Sequence, residues 1–287
     1  MISLSANLAD QYLSSFRNRK AVQIACKSLV AYVIIKMVLV WPLSGMITDI
    51  YYIPPPVNLI PRLLFWPSVF AMTHHDVFYV CSLAVLALSL FLPWNYMSGA
   101  LFFWICLNLL RLHSSIINGS DLVVTMLAFW SIGMSVVPVF RSAKLRILQV
   151  AVFSLSVLFC QVQVAGIYLV SGWDKLWNTT WQSGEAFAYI AHFDSLINPW
   201  FVGSLSHKGI QFFLSWLTIV FELVFVVLIW FRKTRIPVLL VGVVFHLVIM
   251  IMLTLPEFGI LMILSYLVFL EDSDYDRIRN VFKRPQL

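Results

Sequence analysis

Three groups in this chain are suited to moving protons near neutral pH: the amine of Lys175, the carboxylate of Glu222 and the imidazole of His246. Glu222 in Phe221-Glu222-Leu223 and His246 in Phe245-His246-Leu247 are embedded in hydrocarbon, where lipid penalises a charge, so each must meet a partner or a pocket. Between them the alternatives are a structural hydrogen bond and a proton relay or ligand site. Gln161, Tyr168 and Lys175 recur at intervals of seven, with Ala165 and Gly172 at the intermediate turns, so they line one helical stripe. Lys175 ends that stripe among Trp173, Trp177 and Trp181. An amine partly desolvated among indoles serves as a general base, whereas a Lys/Trp pair anchoring the helix at an interface needs no such role. The residues alone leave both open.

A second polar group surrounds a turn. Asn108, Arg111 and Ser115 share a face, and the chain continues through His113 into Asn118-Gly119-Ser120-Asp121. Arg111 suits a carboxylate or a quinone oxygen, and the alternative is a salt bridge to Asp121 that closes the hairpin. Lys36 either snorkels, pairs structurally or serves a pocket, and Lys27 reads as an anchor. Glu257 adds an acid after Pro256. His74-His75-Asp76 do not converge on one helix face, so no metal site is expected. Cys26, Cys81, Cys106 and Cys160 lie in apolar stretches without paired spacing and read as packing residues.

Such residues need elements to hold them, and composition dictates which. The 287 residues are 61% hydrophobic and 11% charged, with a mean hydropathy of +0.90, against roughly 25% charged in soluble domains. Long unbroken apolar runs exclude a β-barrel, and basic residues confined to the gaps between them exclude nucleic-acid binding. The expected fold is all-α, a polytopic transmembrane bundle in a single domain, with spans near 21–43, 76–93, 97–117, 121–139, 145–172, 210–231, 236–255 and 257–270. Pro93, Pro138, Pro237 and Pro256 sit at run boundaries, and Asn118, Ser120 and Asp121 offer capping chemistry for the fourth span.

Most of the 19 Lys and Arg residues then fall on one side. They are Arg17, Arg19 and Lys20, Arg141, Lys144 and Arg146, Arg232, Lys233 and Arg235, and Arg277, Arg279, Lys283 and Arg284. By the positive-inside rule both ends face the cytoplasm, and the first helix, with Asp10 ahead of its basic cluster, is retained rather than cleaved. The outer segments 44–75, with Pro54, Pro55 and Pro56, and 173–208, with four tryptophans, are placed to cover an outward pocket.

The segment from Gln161 to Gly184, with Tyr168-Leu169-x-Ser171-Gly172-x-x-Lys175-Leu176 and then Trp181-x-x-Gly184, resembles the HTTM domain, the membrane portion of vitamin K-dependent γ-carboxylase-like proteins. Ile117-Asn118-Gly119-Ser120-Asp121-Leu122 is similar too, as is His246 followed by Phe258-Gly259 and Ser265-Tyr266-Leu267. The resemblance runs from Arg17 to Leu270. It implies a reduced, vitamin K-like quinone as cofactor and Lys175 as the base that deprotonates it on the outer side. In the carboxylase the quinone then reacts with oxygen to give a strong base, which takes a proton from a glutamyl residue before carbon dioxide adds. Asp174 stands where the carboxylase has a second lysine, and this sequence lacks its large lumenal region. Short bacterial members, which assist maturation of sporulation-delaying peptide toxins beside a small partner protein, match this length better.

Two readings follow. The first is a protein of the bacterial inner (plasma) membrane, in contact with the lipid bilayer, whose outward site does quinone-linked chemistry or matures a secreted peptide. In it Lys175 and His246 are the catalytic candidates, and Arg111, Asp121, Tyr168, Gln161 and Glu222 are the substrate-binding ones. The second is a non-enzymatic binding, immunity or export protein with the same groups as ligand pocket or structural pairs. The DoxX-like proteins share Ser-Gly-x-x-Lys but have about half as many spans, which ranks them last.

Overall fold

Apolar segments without water to satisfy their backbone must close their own hydrogen bonds, and a helix does this within one segment. The computed structural model describes residues 19–50, 58–114, 118–137, 142–193 and 195–283, and all its regular secondary structure is helical. The helices are α1 (Arg19–Ile50), α2 (Leu59–Leu64), α3 (Trp66–Ala71), α4 (His75–Phe91), α5 (Tyr96–Leu112), α6 (Gly119–Ser131) and α7 (Ala143–Trp177). Then come α8 (Thr179–Gln182), α9 (Glu185–Ile190), α10 (Pro199–Leu205), α11 (Lys208–Leu228), α12 (Arg235–Met252), α13 (Pro256–Ser265) with a 3-10 turn over Tyr266–Phe269, and α14 (Asp272–Lys283). Asp10, Arg17, Pro54 to Pro56, Ser115, Ile117, Pro138, Arg141 and Arg284 lie outside the described residues.

Each expected span coincides with a helix, but their lengths differ. Among the described residues four are long and apolar enough to cross a membrane: Arg19–Leu43, Lys144–Trp177, Lys208–Leu228 and Arg235–Met252. Helices α4 and α5 have 17 residues each, α6 has 13 and α13 has 10. The segment expected as a span over 121–139 leaves the helix after Ser131. There Trp94 takes over the backbone: its indole donates to the Ser131 carbonyl at 3.0 Å, and its own carbonyl accepts from Val136 N–H at 2.9 Å. The first helix runs past the expected boundary at 43 to Ile50, and the fifth runs past 172, so Lys175 lies in its last turn.

The chain falls into two compact units, one of residues 1–160 with 270–287 and one of residues 161–269, the boundary lying inside α7. In the first unit, polar groups, some of them buried, join the helices. Lys36 Nζ pairs with Asp121 Oδ1 at 2.6 Å, and Asp121 also accepts from Asn118 N–H in a capping box that starts α6. Tyr79 Oη contacts His113 Nε2 at 2.7 Å, and Trp41 stacks on Tyr79 while donating to Asp76. Asn108 is fully buried; it accepts from Ser68 N–H and donates to the Leu64 and Trp104 carbonyls, tying the short helices α2 and α3 to α5. Asp272, first residue of α14, accepts from the backbone N–H groups of Lys20 and Ala21 in the first turn of α1.

The second unit is built from the C-terminal part of α7, the short helices α8 to α10, and α11 to α13. Phe187, Ile197, Leu205 and Met252 form a buried cluster that fastens the short helices to the end of α12. Asn198 N–H donating to the Met252 carbonyl at 2.9 Å adds a backbone link to the same place.

Candidate functional site

Glycine sets the approach of the two helices that carry the central ion pair. At Gly172 a Cβ would lie 3.0 Å from Glu222 Cβ and 3.1 Å from a Leu223 methyl, so α7 and α11 touch where no side chain intervenes. One turn later Lys175 reaches across: its Nζ is 2.9 Å from both carboxylate oxygens of Glu222 and bonds Ser171 Oγ. Ser171 Oγ also donates to Glu222 Oε1 at 3.0 Å. The Trp181 ring lies 5.1 Å from Nζ, within cation–π range. The side chains of Lys175 and Glu222 are 17% and 8% exposed, so the pair is largely removed from solvent.

A second polar chain is built on α7, α12 and the turn after α13. Tyr168 Oη lies 2.6 Å from His246 Nε2 and bonds Tyr266 Oη, all three residues being buried. Tyr266 can reach in because Gly242 has no side chain; an added methyl would lie 2.8 Å from Tyr266 Cζ and closer still to its hydroxyl oxygen. His246 Nδ1 is buried and has no hydrogen-bond partner among the described residues. Leaving such an atom unsatisfied costs about 1–3 kcal/mol, the kind of debt that a bound ligand cancels.

Both polar groups open on one cavity of about 420 Å³. Apart from Thr218 its remaining wall is apolar, with Leu217, Phe221 and Phe245 on α11 and α12, Phe258 and Met262 on α13, and Trp181, Phe187 and Ile190 on the short helices. This is the composition of a small-molecule site: apolar lining, a few polar groups and a volume within about 300–1,000 Å³. Gly242→Ala should therefore lower the thermal midpoint by the equivalent of about 1–3 kcal/mol, the usual cost of overpacking. Gly242→Ala/Tyr266→Leu should recover part of it. An unchanged midpoint in the single variant would contradict the contact.

The structure thus brings together Lys175, Glu222, Tyr168 and His246 around one cavity. Gln161, expected on the same stripe, instead donates to the Val268 carbonyl at 2.9 Å and secures α7 to the 3-10 turn. Arg111 and Asp121 belong to the first unit, where Arg111 lies over the Phe65 ring and Asp121 is engaged by Lys36. Glu222 and His246, expected as partners, are held separately, the first by Lys175 and the second by Tyr168. Ser171 and Tyr266 were not among the expected site residues. Ser171 was detectable, since it lies one turn before Lys175 on the same face.

Residues 24–273 match the family model of the HTTM domain, a stretch that contains every residue lining the cavity. No curated protein and no solved structure matches the chain. With the match covering most of its length, and with four helices among the described residues long and apolar enough to cross a membrane, the chain belongs to the HTTM domain family.

Proposed function

We propose that this integral membrane protein binds a small ring compound of the reduced-quinone type in the second unit's cavity and withdraws a proton from it. The observation that carries the reading is the meeting of an ion pair, Lys175–Glu222, and an unpartnered imidazole nitrogen, His246 Nδ1, on the wall of one apolar cavity. The residues fit such a group. Phe221, Phe245 and Phe258 offer faces for a ring, the ion pair offers charge to a ring oxygen, and His246 offers a second polar contact. When bound, a reduced quinone supplies an acidic ring hydroxyl and two reducing electrons. The protein supplies an enclosure with little water, in which the Lys175 charge acts on an anion far more strongly than in solvent.

The orientation proposed is cytoplasmic at both ends, with the cavity toward the outer face of a bacterial plasma membrane. Charge asymmetry supports it: Lys144 and Arg146 begin α7, and Lys175 lies at its other end. The Asp272 contact with Lys20 and Ala21 also supports it, since it holds the starts of α1 and α14 on one side and so favours an even number of crossings. A non-enzymatic binding protein is the second reading, favoured by the bidentate pairing that satisfies Lys175 without any reaction.

Mass spectrometry of molecules retained by the protein in native lipid discs, comparing wild type with Lys175→Ala, tests the proposal. A quinone held by the wild type and lost from a folded variant is the expected result. A small protein or peptide retained without any quinone would sink it and favour peptide maturation or immunity.

A further inference from the structure

We infer that Glu222, and not Lys175, is the group that accepts the proton, with Lys175 remaining an ammonium throughout; this rests on the binding reading above. An ammonium has three N–H donors and no acceptor. Those of Lys175 are met by Glu222 Oε1, Glu222 Oε2 and Ser171 Oγ, with the Ser171 carbonyl 3.5 Å away, so the protein engages every proton of an ammonium here. A carboxylate offers about four lone-pair positions. Glu222 Oε1 accepts from Lys175 and Ser171, while Oε2 accepts from Lys175 alone among the described residues, which leaves acceptor capacity on Oε2.

The step balances without any further reactant. The ligand's O–H bond breaks, an O–H bond forms on Glu222 Oε2, and the electron pair stays on the ligand oxygen. The negative charge therefore moves from Glu222 to the ligand, and Lys175 faces one anion before and one after. A neutral-amine acceptor would instead leave the Glu222 carboxylate without a cation before the transfer, and one cation facing two anions after it. Ser171 then loses a carboxylate acceptor but keeps Lys175 as partner, so no buried group is orphaned. Glu222 also lies beside Phe221 on the cavity wall, next to the ring surfaces that would seat the ligand.

Infrared difference spectra of the full-length protein in lipid discs, taken anaerobically with and without 1,4-naphthohydroquinone, read the acceptor directly. The expected result is a carboxylic-acid carbonyl band that appears on binding in the wild type and in Lys175→Arg, whose guanidinium cannot act as a base. That band shifts in Glu222→Asp and is lost in Glu222→Gln. A probe that binds the wild type as its anion with no carboxylic-acid band would overturn the assignment in favour of the Lys175 amine. Absence of any hydroquinone binding to the wild type would overturn the binding reading itself, and this inference with it. The two failures are distinct, because retention of the probe is measured separately by its own absorbance.

Discussion

Lys175→Met should destabilise the protein by about 3–5 kcal/mol, the typical cost of removing one member of a buried ion pair. The loss comes mostly from what is left behind. Glu222 would keep only the Ser171 hydroxyl as donor, with 8% of its side chain exposed to find water. Removing both charges reverses the argument, since two apolar side chains of similar volume leave no group unpaired. Lys175→Met/Glu222→Met should therefore return to within about 1 kcal/mol of the wild type, or exceed it. Thermal midpoints at one scan rate in lipid discs, read for the wild type, both singles and the double, check this. Additive losses would show that the two residues do not interact. The double variant also separates fold from function, because a folded protein that no longer retains ligand assigns the pair to binding.

The second large effect is expected at Gly184→Ala, where two penalties coincide. Gly184 has φ +86°, the left-handed region, which costs a residue with a Cβ about 1–2 kcal/mol. A Cβ there would also lie 2.7 Å from both Phe212 Cα and Phe212 N, main-chain atoms of α11 that cannot rotate away. With overpacking adding about 1–3 kcal/mol, the variant should move α8 and α9 off α11. Those short helices carry Trp181, Phe187 and Ile190, so the same change should open the cavity and weaken retention of any ligand. Lower thermal stability together with faster trypsin cleavage at the exposed Lys208 is the expected pattern. Unchanged stability would mean that the short helices adjust freely.

Each of the eight apolar runs coincides with a helix, because a helix satisfies its backbone within one segment, but the short helices α2, α3 and α8 to α10 left no run long enough to be read. Hydropathy overestimated α6, whose C-terminal end is claimed by Trp94, a residue 37 positions from Ser131. Local spacing placed Tyr168 and Lys175 on one stripe, and both line the cavity. Spacing also put Gln161 there, where a carbonyl from the far end of the unit takes its amide instead. The partners were harder to read than the positions. Glu222 and His246 lie on helices consecutive in the chain, which suggested a pair, whereas the close approach at Gly172 brings the carboxylate to α7's lysine. Tyr266 reaches Tyr168 across 98 residues of sequence, through space vacated by Gly242, and nothing local in either segment announces it.

The hold of Asp272 on Lys20 and Ala21 has a bearing on how the chain is assembled. The first turn of a helix leaves backbone donors unmet, and here a carboxylate supplied some 250 residues later meets two of them. During synthesis this contact can form only once Asp272 has been added, after nearly all the other described helices. That carboxylate ties the start of α1 to a residue near the other end of the chain, so in a protein truncated before Asp272 the Lys20 and Ala21 amides are expected to exchange faster with solvent.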